Sequence, residues 1–405
     1  MRTTMVAVVC LLLAATTASA DSLNVRLVGT YTAPEGAVSM AVTDTLALIA
    51  DFSHGLRIVS IVDPANPNEI GVFTGPATTM GVAVKDTLAF VAAHSNGLYI
   101  VNIADPTNPQ EVGQWGTSSV SARVRVRDTL AFVADRAGGL SIVSIADPTH
   151  PYSVGNYIDT LGSVHNDVAV AGDYAYAATG LQNLLEVINV SDPANPTLAG
   201  LLTMSSGVGP QGVVVSGGYA YVANGDIIIV DVSDPHDPHE VGSYVSPNTA
   251  FGVEVNGSIA YVADGYSGVR VVDVSNPQQP QELGYYDTPA YDNGIALAGD
   301  YFCASEDPTG MRIFEYNGLG VEEAPNSVAQ KADHGTIVVR GVLYLPRDMT
   351  ETAGVSDRVP RPVLLDAMGR RALDLHLGAN DVSLLTPGVY FARSSSQLTR
   401  VTLVR

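Results

Sequence analysis

The sequence contains little cysteine, tryptophan or charge. Its 405 residues include two Cys and one Trp, and 15% of them are Asp, Glu, Lys or Arg. Because Trp115 is the single Trp, a tryptophan contact repeated between structural units is excluded. After residue 20 the single Cys is Cys303, so an internal disulfide is excluded and the fold must depend on its core. No later segment reaches eighteen consecutive apolar residues, so we expect no transmembrane segment.

Basic residues are also few. Lys and Arg number 20 against 41 Asp and Glu, which gives a net charge of −21. Nucleic acid and anionic membrane surfaces need clustered Lys and Arg, so the charge argues against both as partners. Residues 21–316 hold 32 acidic and nine basic residues, whereas residues 317–405 hold nine and ten. This difference indicates two domains with different surfaces.

The first 20 residues have the pattern of a secretory signal peptide. The basic start Met1-Arg2 precedes an apolar run, Val6–Ala15, that is too short to span a bilayer. The small residues of Ala18-Ser19-Ala20 then predict cleavage after residue 20. The alternative is a lipoprotein acylated at Cys10, but Val9 is too large for the residue that normally precedes such a cysteine. We therefore expect a secreted or cell-surface protein.

A sequence repeat follows the signal peptide. The motif Asp-Pro-x-x-Pro occurs five times, and once more with Asn in place of Asp, at steps of 42, 42, 45, 42 and 42 residues. The first residues of the motifs are Asp63, Asp105, Asp147, Asp192, Asp234 and Asn276. The glycines that follow them at a fixed distance are Gly71, Gly113, Gly155, Gly200, Gly242 and Gly284. Gly29 extends the series backward by one period, and such a period indicates an array of structural units.

Each repeat has the pattern of four short β-strands. In the unit that begins at Gly81 the strand-like runs are Val82–Val84, Leu88–Ala92, Leu98–Ile103 and Glu111–Trp115, of which the first three are mainly apolar. Branched and aromatic residues dominate the runs, whereas Gly, Pro, Asn and Asp dominate the joints. Four such strands per unit are typical of a β-propeller blade.

We count seven inner-strand and seven outer-strand segments. The first outer segment, Val25–Tyr31, precedes any complete unit, and the last unit lacks an outer strand of its own. We therefore predict an all-β, seven-bladed propeller over residues 21–316. The N-terminal strand would complete blade seven, because closing the ring removes an open seam of unpaired backbone groups.

Several third strands resemble the LVIVD repeat family of extracellular β-propellers. The segments that carry the resemblance are Leu56–Asp63, Ile227–Asp234 and Val269–Ser275. The resemblance covers most of the chain after the signal peptide and implies a propeller in a secreted or surface protein. It implies little about function, because a fold does not by itself assign chemistry.

Residues 336–405 follow a predicted linker, 317–335. Five runs predict the strands of a small β-sandwich: Ile337–Leu345, Pro362–Asp366, Arg371–Leu377, Val389–Arg393 and Leu398–Val404. The segment resembles a C-terminal sorting domain of type IX secretion, and the motif residues are Gly369, Pro387, Gly388 and Tyr390. This resemblance implies that an export machinery carries the protein across an outer membrane, after which the tail is removed or serves as an anchor. The alternative is an accessory sandwich that only packs against its neighbours.

Four charged residues interrupt the inner strands, whose other inward positions are small or apolar. They are Arg123, Arg125, Asp167 and Glu254. In a propeller the inner strands surround a channel, and one face of the disc is the usual binding site. Arg123 and Asp167 occupy one level in adjacent blades, where they could pair. The four residues either hold a polar ligand in the channel mouth or form a satisfied ion pair that plugs the channel.

Polar clusters around His165 and Asp292 should lie on the same face. They complete the candidate ligand-binding residues Arg123, Arg125, His165, Asp167, Glu254 and Asp292. Histidines and carboxylates from separate blades could bind a divalent metal such as calcium, but the spacing matches no metal motif, so we assign no metal ligand and no cofactor. The Asp-Pro turns could also bind calcium. We favour carboxylates that cap their own turns, because one site would not need six copies.

The sequence is compatible with three functions. The first is a binding module, expected as a monomer, that contacts an extracellular protein or glycan. The second is a metal-dependent hydrolase or lactonase-like enzyme, although we assign no catalytic residue. The third is a structural envelope protein.

Overall fold

The computed structural model describes residues 22–318, apart from 77, 118, 160, 161 and 206, and seven backbone strands between 336 and 403. The predicted signal peptide, 1–20, lies outside the described residues. Most of the predicted linker also lies outside them, as do the motif residues Gly369 and Pro387. Within the described part of the chain, no helix is long and apolar enough to cross a membrane.

Residues 22–318 form the predicted seven-bladed propeller, in which every blade is an antiparallel sheet. From the inner to the outer strand, blades 1 to 4 are Ser39–Val42, Leu46–Ala50, Leu56–Ser60 and Asn68–Phe73; Gly81–Lys85, Leu88–Ala92, Leu98–Asn102 and Gln110–Trp115; Arg123–Arg127, Leu130–Ala134, Leu140–Ser144 and Tyr152–Tyr157; and His165–Ala171, Tyr174–Thr179, Leu184–Asn189 and Thr197–Thr203. Blades 5 to 7 are Gly212–Ser216, Tyr219–Asn224, Asp226–Asp231 and His239–Tyr244; Gly252–Asn256, Ile259–Ala263, Val269–Asp273 and Gln281–Tyr286; and Tyr291–Ala298, Tyr301–Asp307, Gly310–Tyr316 and Val25–Thr32. One short 3₁₀ helix, Phe52–His54, is the single helical element among the described residues.

The N-terminus completes blade 7, as predicted. Val25–Thr32 pairs antiparallel with Gly310–Tyr316 and is the outer strand of that blade. The preceding two residues, Ser22–Leu23, pair with the outer strand of blade 6. Asn24 Nδ2 donates a hydrogen bond to Leu283 O at 2.7 Å. The inner strands of blades 7 and 1 also pack together, so the ring closes without an open seam.

The core lies between the blades. Each of the seven interfaces between neighbouring blades carries one cluster of buried apolar side chains. The second and third strands are buried on both faces, which explains apolar runs such as Leu88–Ala92. Cys303 is fully buried between blades 7 and 1, and burial raises the pKa of its thiol to about 12. It therefore acts as an apolar filler.

The repeated glycine and the Asp-Pro turn meet where two blades touch. In every outer strand a β-bulge precedes the glycine. A Cβ on Gly71 would approach Pro106 O, in the turn of the next blade, to well under 3.0 Å. The same relation recurs around the ring, and at the seam between blades 6 and 7 Leu23 O takes the place of the proline carbonyl against Gly284. The 42-residue repeat therefore encodes close backbone packing between blades.

Beyond residue 335 the described backbone is also entirely β. The strands of this segment are Thr336–Val339, Val342–Leu345, Val363–Asp366, Arg371–Asp374, Gly378–Asp381, Gly388–Arg393 and Leu398–Leu403. Five of them form one sheet, and Val342–Leu345 pairs with Gly378–Asp381. The sequence predicted one run where the structure has Thr336–Val339 and Val342–Leu345, and it missed Gly378–Asp381, whose Gly, Asn and Asp are weak strand formers. The packing of two sheets into a sandwich stays a prediction.

Candidate functional site at the channel mouth

The loops that follow the second strands and the segments that enter the first strands share one face of the disc. The loop after a second strand is bridged to the segment that enters the next inner strand, and the bridged pairs are His94 with Ser121, Arg136 with His165, Gly225 with Ala250, and Gly265 with Asp292. We call this side the channel-mouth face. The opposite side, which carries the turns after the first and third strands, is called the turn face.

The inner strands surround a cavity of about 340 Å³. Its lining includes Arg123, Arg125, Asp167 and Glu254, so the structure brings four of the six candidate residues together. Aligning the repeats located these four because charge is an exception at their positions. Asn293, from the polar cluster around Asp292, also lines the cavity, and the alignment did not single out two further lining residues, Gln211 and Phe251.

Asp167 is held by backbone N–H groups of two blades. Its Oδ1 accepts from Val168 N at 2.9 Å, and its Oδ2 accepts from Val213 N of blade 5 at 3.2 Å. A bulge at Asn166 shifts the strand register just before Asp167. The carboxylate is buried, and its ion pair is with Arg125, whose Nη2 lies 3.5 Å from Oδ2. Asp167, and more weakly Glu254, raises the pKa of Arg125 although burial opposes the shift.

Arg123 points away from Asp167, and the suggested pair between them is not formed. Its guanidinium instead donates to carbonyl oxygens at the entrances of three inner strands: Met80 O, Ala122 O at 3.2 Å and Val38 O at 3.4 Å. Burial lowers the pKa of Arg123, and the charge of Asp167 partly offsets that shift. Among the described residues, no carboxylate forms an ion pair with Arg123.

Glu254 enters the cavity from blade 6, on the far side of the ring from blade 3. Within the described part of the chain its carboxylate has neither an ion pair nor a hydrogen bond. Burial raises its pKa, and the Arg125 guanidinium opposes this shift. The channel thus contains one ion pair, Arg125–Asp167, and two charges of opposite sign, on Arg123 and Glu254, that no ion pair neutralises.

His165 does not line the cavity. Its side chain is 1% exposed, and its Nε2 hydrogen-bonds Glu186 Oε2 at 2.6 Å. Burial raises the pKa of the Glu186 carboxyl, whereas the hydrogen bond to His165 lowers it. Glu186 lies in an apolar third strand and had no repeat-wide signal in the sequence. The buried hydrogen bond joins the first strand of blade 4 to its third strand and so stabilises this end of the blade.

Asp292 is also buried away from the cavity. It accepts from Thr288 Oγ1 at 2.5 Å and lies beside Glu306, which pairs with Arg312 at 3.1 Å. Burial raises the pKa of Asp292 well above its ordinary value, and the Glu306 carboxylate raises it further. Acid–arginine pairs in the same place in blades 1 and 6 join Asp51 to Arg57 at 2.9 Å and Asp264 to Arg270 at 3.5 Å. Such a recurring pair stabilises the loop after the second strand.

The metal alternative receives no geometric support. Among the described residues, no group of three or more His, Cys, Asp or Glu side chains could hold a metal ion. Of the histidine and carboxylate candidates from separate blades, Asp167 and Glu254 line the cavity, whereas His165 and Asp292 lie in two other, buried environments.

The carboxylates of the Asp-Pro turns cap their own turns. In blade 3, Asp147 Oδ1 accepts from Thr149 N at 3.0 Å and from Thr149 Oγ1 at 2.6 Å. The hydrogen bonds from Thr149 lower the pKa of Asp147. Asp63, Asp105, Asp192 and Asp234 accept the corresponding backbone bond. The repetition therefore has a structural cause.

Apolar side chains are concentrated on the channel-mouth face. Of the eleven large apolar residues exposed in the described part of the chain, six lie in its loops. Five follow one another around blades 4 to 6, are 60–79% exposed, and are called the apolar arc: Ile158, Leu181, Val208, Val245 and Tyr266. The sixth, Phe52, is on blade 1 and is 45% exposed.

The turn face has the opposite character. Its turns contain eleven aspartates and no Lys or Arg. The aspartates are Asp44, Asp63, Asp86, Asp105, Asp128, Asp147, Asp173, Asp192, Asp234, Asp237 and Asp300. The turn face is therefore rich in aspartate, although acidic residues such as Glu35, Asp159 and Asp287 also lie in the channel-mouth loops.

Solved structures share this architecture. The WD40 β-propeller domain of Doa1 aligns with a TM-score of 0.58 at 12% identity, over 72% of this chain and 96% of that one. The computationally designed Ika8 protein aligns with a TM-score of 0.54 at 8% identity, over 71% of this chain and 99% of that one. At these identities the likeness shows the fold alone. No curated protein matches the chain.

The closed ring of four-stranded blades around a polar channel defines a seven-bladed β-propeller built from sequence repeats. The LVIVD repeat matches six segments: 36–74, 76–117, 121–159, 162–203, 210–246 and 248–288. Together they cover more than half of the chain, which therefore belongs to the LVIVD repeat family.

Proposed function

We propose that the chain is a secreted or cell-surface binding module whose channel-mouth face contacts an extracellular protein. The apolar arc is the observation that carries the proposal. Exposed apolar side chains that recur in the loops of neighbouring blades, beside a polar channel, support a protein-interaction surface more strongly than a single exposed apolar residue does. The arc comprises loops of several blades, which the rigid inter-blade cores hold in fixed positions.

The asymmetry between the two faces supports this assignment. The acidic turn face repels a second acidic surface and favours solubility, so it is a poor site for tight docking with a like-charged partner. The channel-mouth face carries its apolar groups in loops that no other blade covers. Binding through that face leaves the aspartates in water.

A glycan is the second candidate partner. Tyr266, which is 69% exposed, packs edge-on against Tyr291 at 4.7 Å between ring centroids. Phe251, which lines the cavity, lies 5.0 Å from the same Tyr291 ring. This aromatic group could stack a sugar ring at the channel mouth.

Substitutions on opposite sides of the disc test the proposal. Leu181→Ser and Tyr266→Ser should each weaken binding of the purified protein to the surface of the producing cells, measured by flow cytometry with labelled protein. Val62→Ser on the turn face and Tyr152→Ser on an outer strand are the matched controls, because they are 72% and 62% exposed. Equal binding by all four variants would contradict the assignment. Protease treatment of the cells separates a protein partner from a glycan.

We also propose that the C-terminal segment directs export. The resemblance of Gly388, Tyr390 and their neighbours to a type IX sorting motif supports this step, and so does the change of charge after residue 316. Residues 319–405 fused to a signal peptide and a fluorescent protein should reach the surface of a bacterium that has type IX secretion. Retention in the periplasm, in a host that exports its own sorting-domain proteins normally, would favour the accessory sandwich.

A further inference from the structure

The central cavity holds unneutralised charges of opposite sign on opposite sides of the ring. Arg123, from blade 3, turns its guanidinium toward the entrances of blades 1 and 2, where carbonyl dipoles hold it. Glu254 enters from blade 6. Among the described residues, neither charge has an ion-pair partner. Each charge must therefore attract an opposite charge from any ligand that enters.

Arg125 adds hydrogen-bond donors between these two groups. It uses Nη1 for Val124 O at 3.3 Å and Nη2 for Asp167 at 3.5 Å, and both bonds are long. Its side chain is 36% exposed into the channel, so further N–H groups point into the cavity. Asp167 has no such freedom, because backbone N–H groups of two blades fix both of its oxygens.

We propose that this cavity binds a small zwitterion, a free amino acid or dipeptide, with its ammonium on Glu254 and its carboxylate on Arg123 and Arg125. The inference rests on the proposed function in that both place recognition at the channel mouth. A carboxylate and a guanidinium form charge-assisted hydrogen bonds of fixed geometry, and a carboxylate accepts from an ammonium in the same way.

Ligands of a single charge fit the cavity less well. A simple anion would satisfy the arginines but face Glu254, and a simple cation would satisfy Glu254 but face Arg125. A neutral molecule would leave both charges unpaired after displacing their water. The volume of about 340 Å³ is at the lower end of ligand pockets, which suits a molecule of amino-acid size.

Calorimetric titration of the chain from residue 21 onward tests the proposal with four probes: alanine, alanyl-alanine, N-acetylalanine and alaninamide. We expect the two zwitterions to bind and the loss of either ligand charge to weaken binding by about tenfold or more. In Glu254→Gln, alanine and N-acetylalanine should bind equally, because the ammonium has lost its partner. Glu111→Gln, an exposed glutamate on the outer strand of blade 2, should titrate like the unchanged protein.

Absence of zwitterion binding, or equal binding of all four probes to the unchanged protein, would overturn the inference. The probe series uses the unchanged protein, so it decides the matter even if Glu254→Gln fails to fold. The cell-surface assay separates this result from the proposed function. If Leu181→Ser weakens surface binding while no probe binds, the zwitterion site alone is refuted. If the probes bind as expected while Leu181→Ser has no effect, the apolar arc alone is refuted.

Discussion

At the scale of single residues, the repeat positions of this chain mark contacts between blades. The glycine of each outer strand faces a backbone carbonyl of the next blade, and the Asp of each turn accepts N–H groups of that turn. The sequence made these positions visible through their spacing. Their cause could not be predicted from spacing alone, because in six blades the carbonyl that approaches the glycine belongs to a turn about 35 residues away, and in blade 6 it belongs to Leu23 near the N-terminus.

Gly113→Ala should destabilise the propeller. The added Cβ would lie far inside contact distance of Pro148 O, and a backbone atom in the next blade cannot move aside as a flexible side chain can. We expect a loss of about 1–3 kcal/mol in the free energy of unfolding, measured by urea titration. Gly116→Ala, three residues along in the exposed loop, meets no atom within 4 Å and should stay within about 0.5 kcal/mol. Equal effects would contradict the packing account.

Asp292 should make stability fall as pH rises. Its pKa is raised in the folded protein by burial and by Glu306, so its contribution is complete below the ordinary carboxyl pKa of about 4 and is lost as pH rises through the folded value. Asp292→Asn is neutral at every pH and can still accept from Thr288, so it should remove this loss. Unfolding free energies measured from about pH 4 upward should decline less in the variant than in the unchanged protein. Asp300→Asn, an exposed turn-face control, should keep the dependence of unfolding free energy on pH that the unchanged protein shows. If Asp292→Asn also keeps that dependence, the assignment to Asp292 is refuted.

The channel residues show where sequence reasoning reached its limit. The repeat alignment located Arg123, Arg125, Asp167 and Glu254, because a charged residue at a position that is small or apolar in the other repeats can be recognised from the sequence. It suggested that Asp167 pairs with Arg123, whereas in the structure Asp167 pairs with Arg125. Side-chain direction decided the outcome, since Arg123 reaches back to the carbonyls of two earlier blades. For the same reason His165 and Asp292, whose partners Glu186 and Glu306 lie on other strands, are buried away from the cavity.

At the scale of elements, the N-terminal strand closes the ring by completing blade 7. Alternating apolar runs and turn residues predicted the four strands of each propeller blade, because both signals are local. The closing role of Val25–Thr32 was predicted by counting, since seven inner strands need seven outer ones. The second contact, by Ser22–Leu23 on blade 6, was not predicted, because two residues carry no periodic signal.

Removal of the closing strand should open the propeller. A chain that starts at residue 33 lacks Val25–Thr32 and so exposes Gly310–Tyr316 as an edge. We expect its melting temperature to fall by roughly 10 °C or more and its unfolding to become less cooperative, as measured by calorimetry. A chain that starts at residue 25 keeps the strand, and its melting temperature should fall much less. An unchanged transition in the shorter chain would show that blade 7 is stable without it.

At the scale of the whole molecule, the disc has two unlike faces. Six of the eleven large exposed apolar side chains lie in the loops of the channel-mouth face, and eleven aspartates lie in the turns of the other face. The turn face thus carries acidic groups without an exposed apolar cluster, whereas the channel-mouth face carries both kinds of side chain. Composition alone could not show this, because the two sets of residues alternate along the chain and separate only when each blade folds back on itself.

Site-resolved crosslinking of the purified protein to the cells that produce it tests recognition at the channel mouth most directly. A photoreactive residue would be placed in turn at Leu181, Tyr266, Val62 and Tyr152, all of which are exposed, and the crosslinked products would be identified by mass spectrometry. We predict that the first two positions capture the same extracellular partner and that the last two do not. Capture of that partner from Val62 on the turn face, and not from Leu181 or Tyr266, would contradict recognition at the channel mouth.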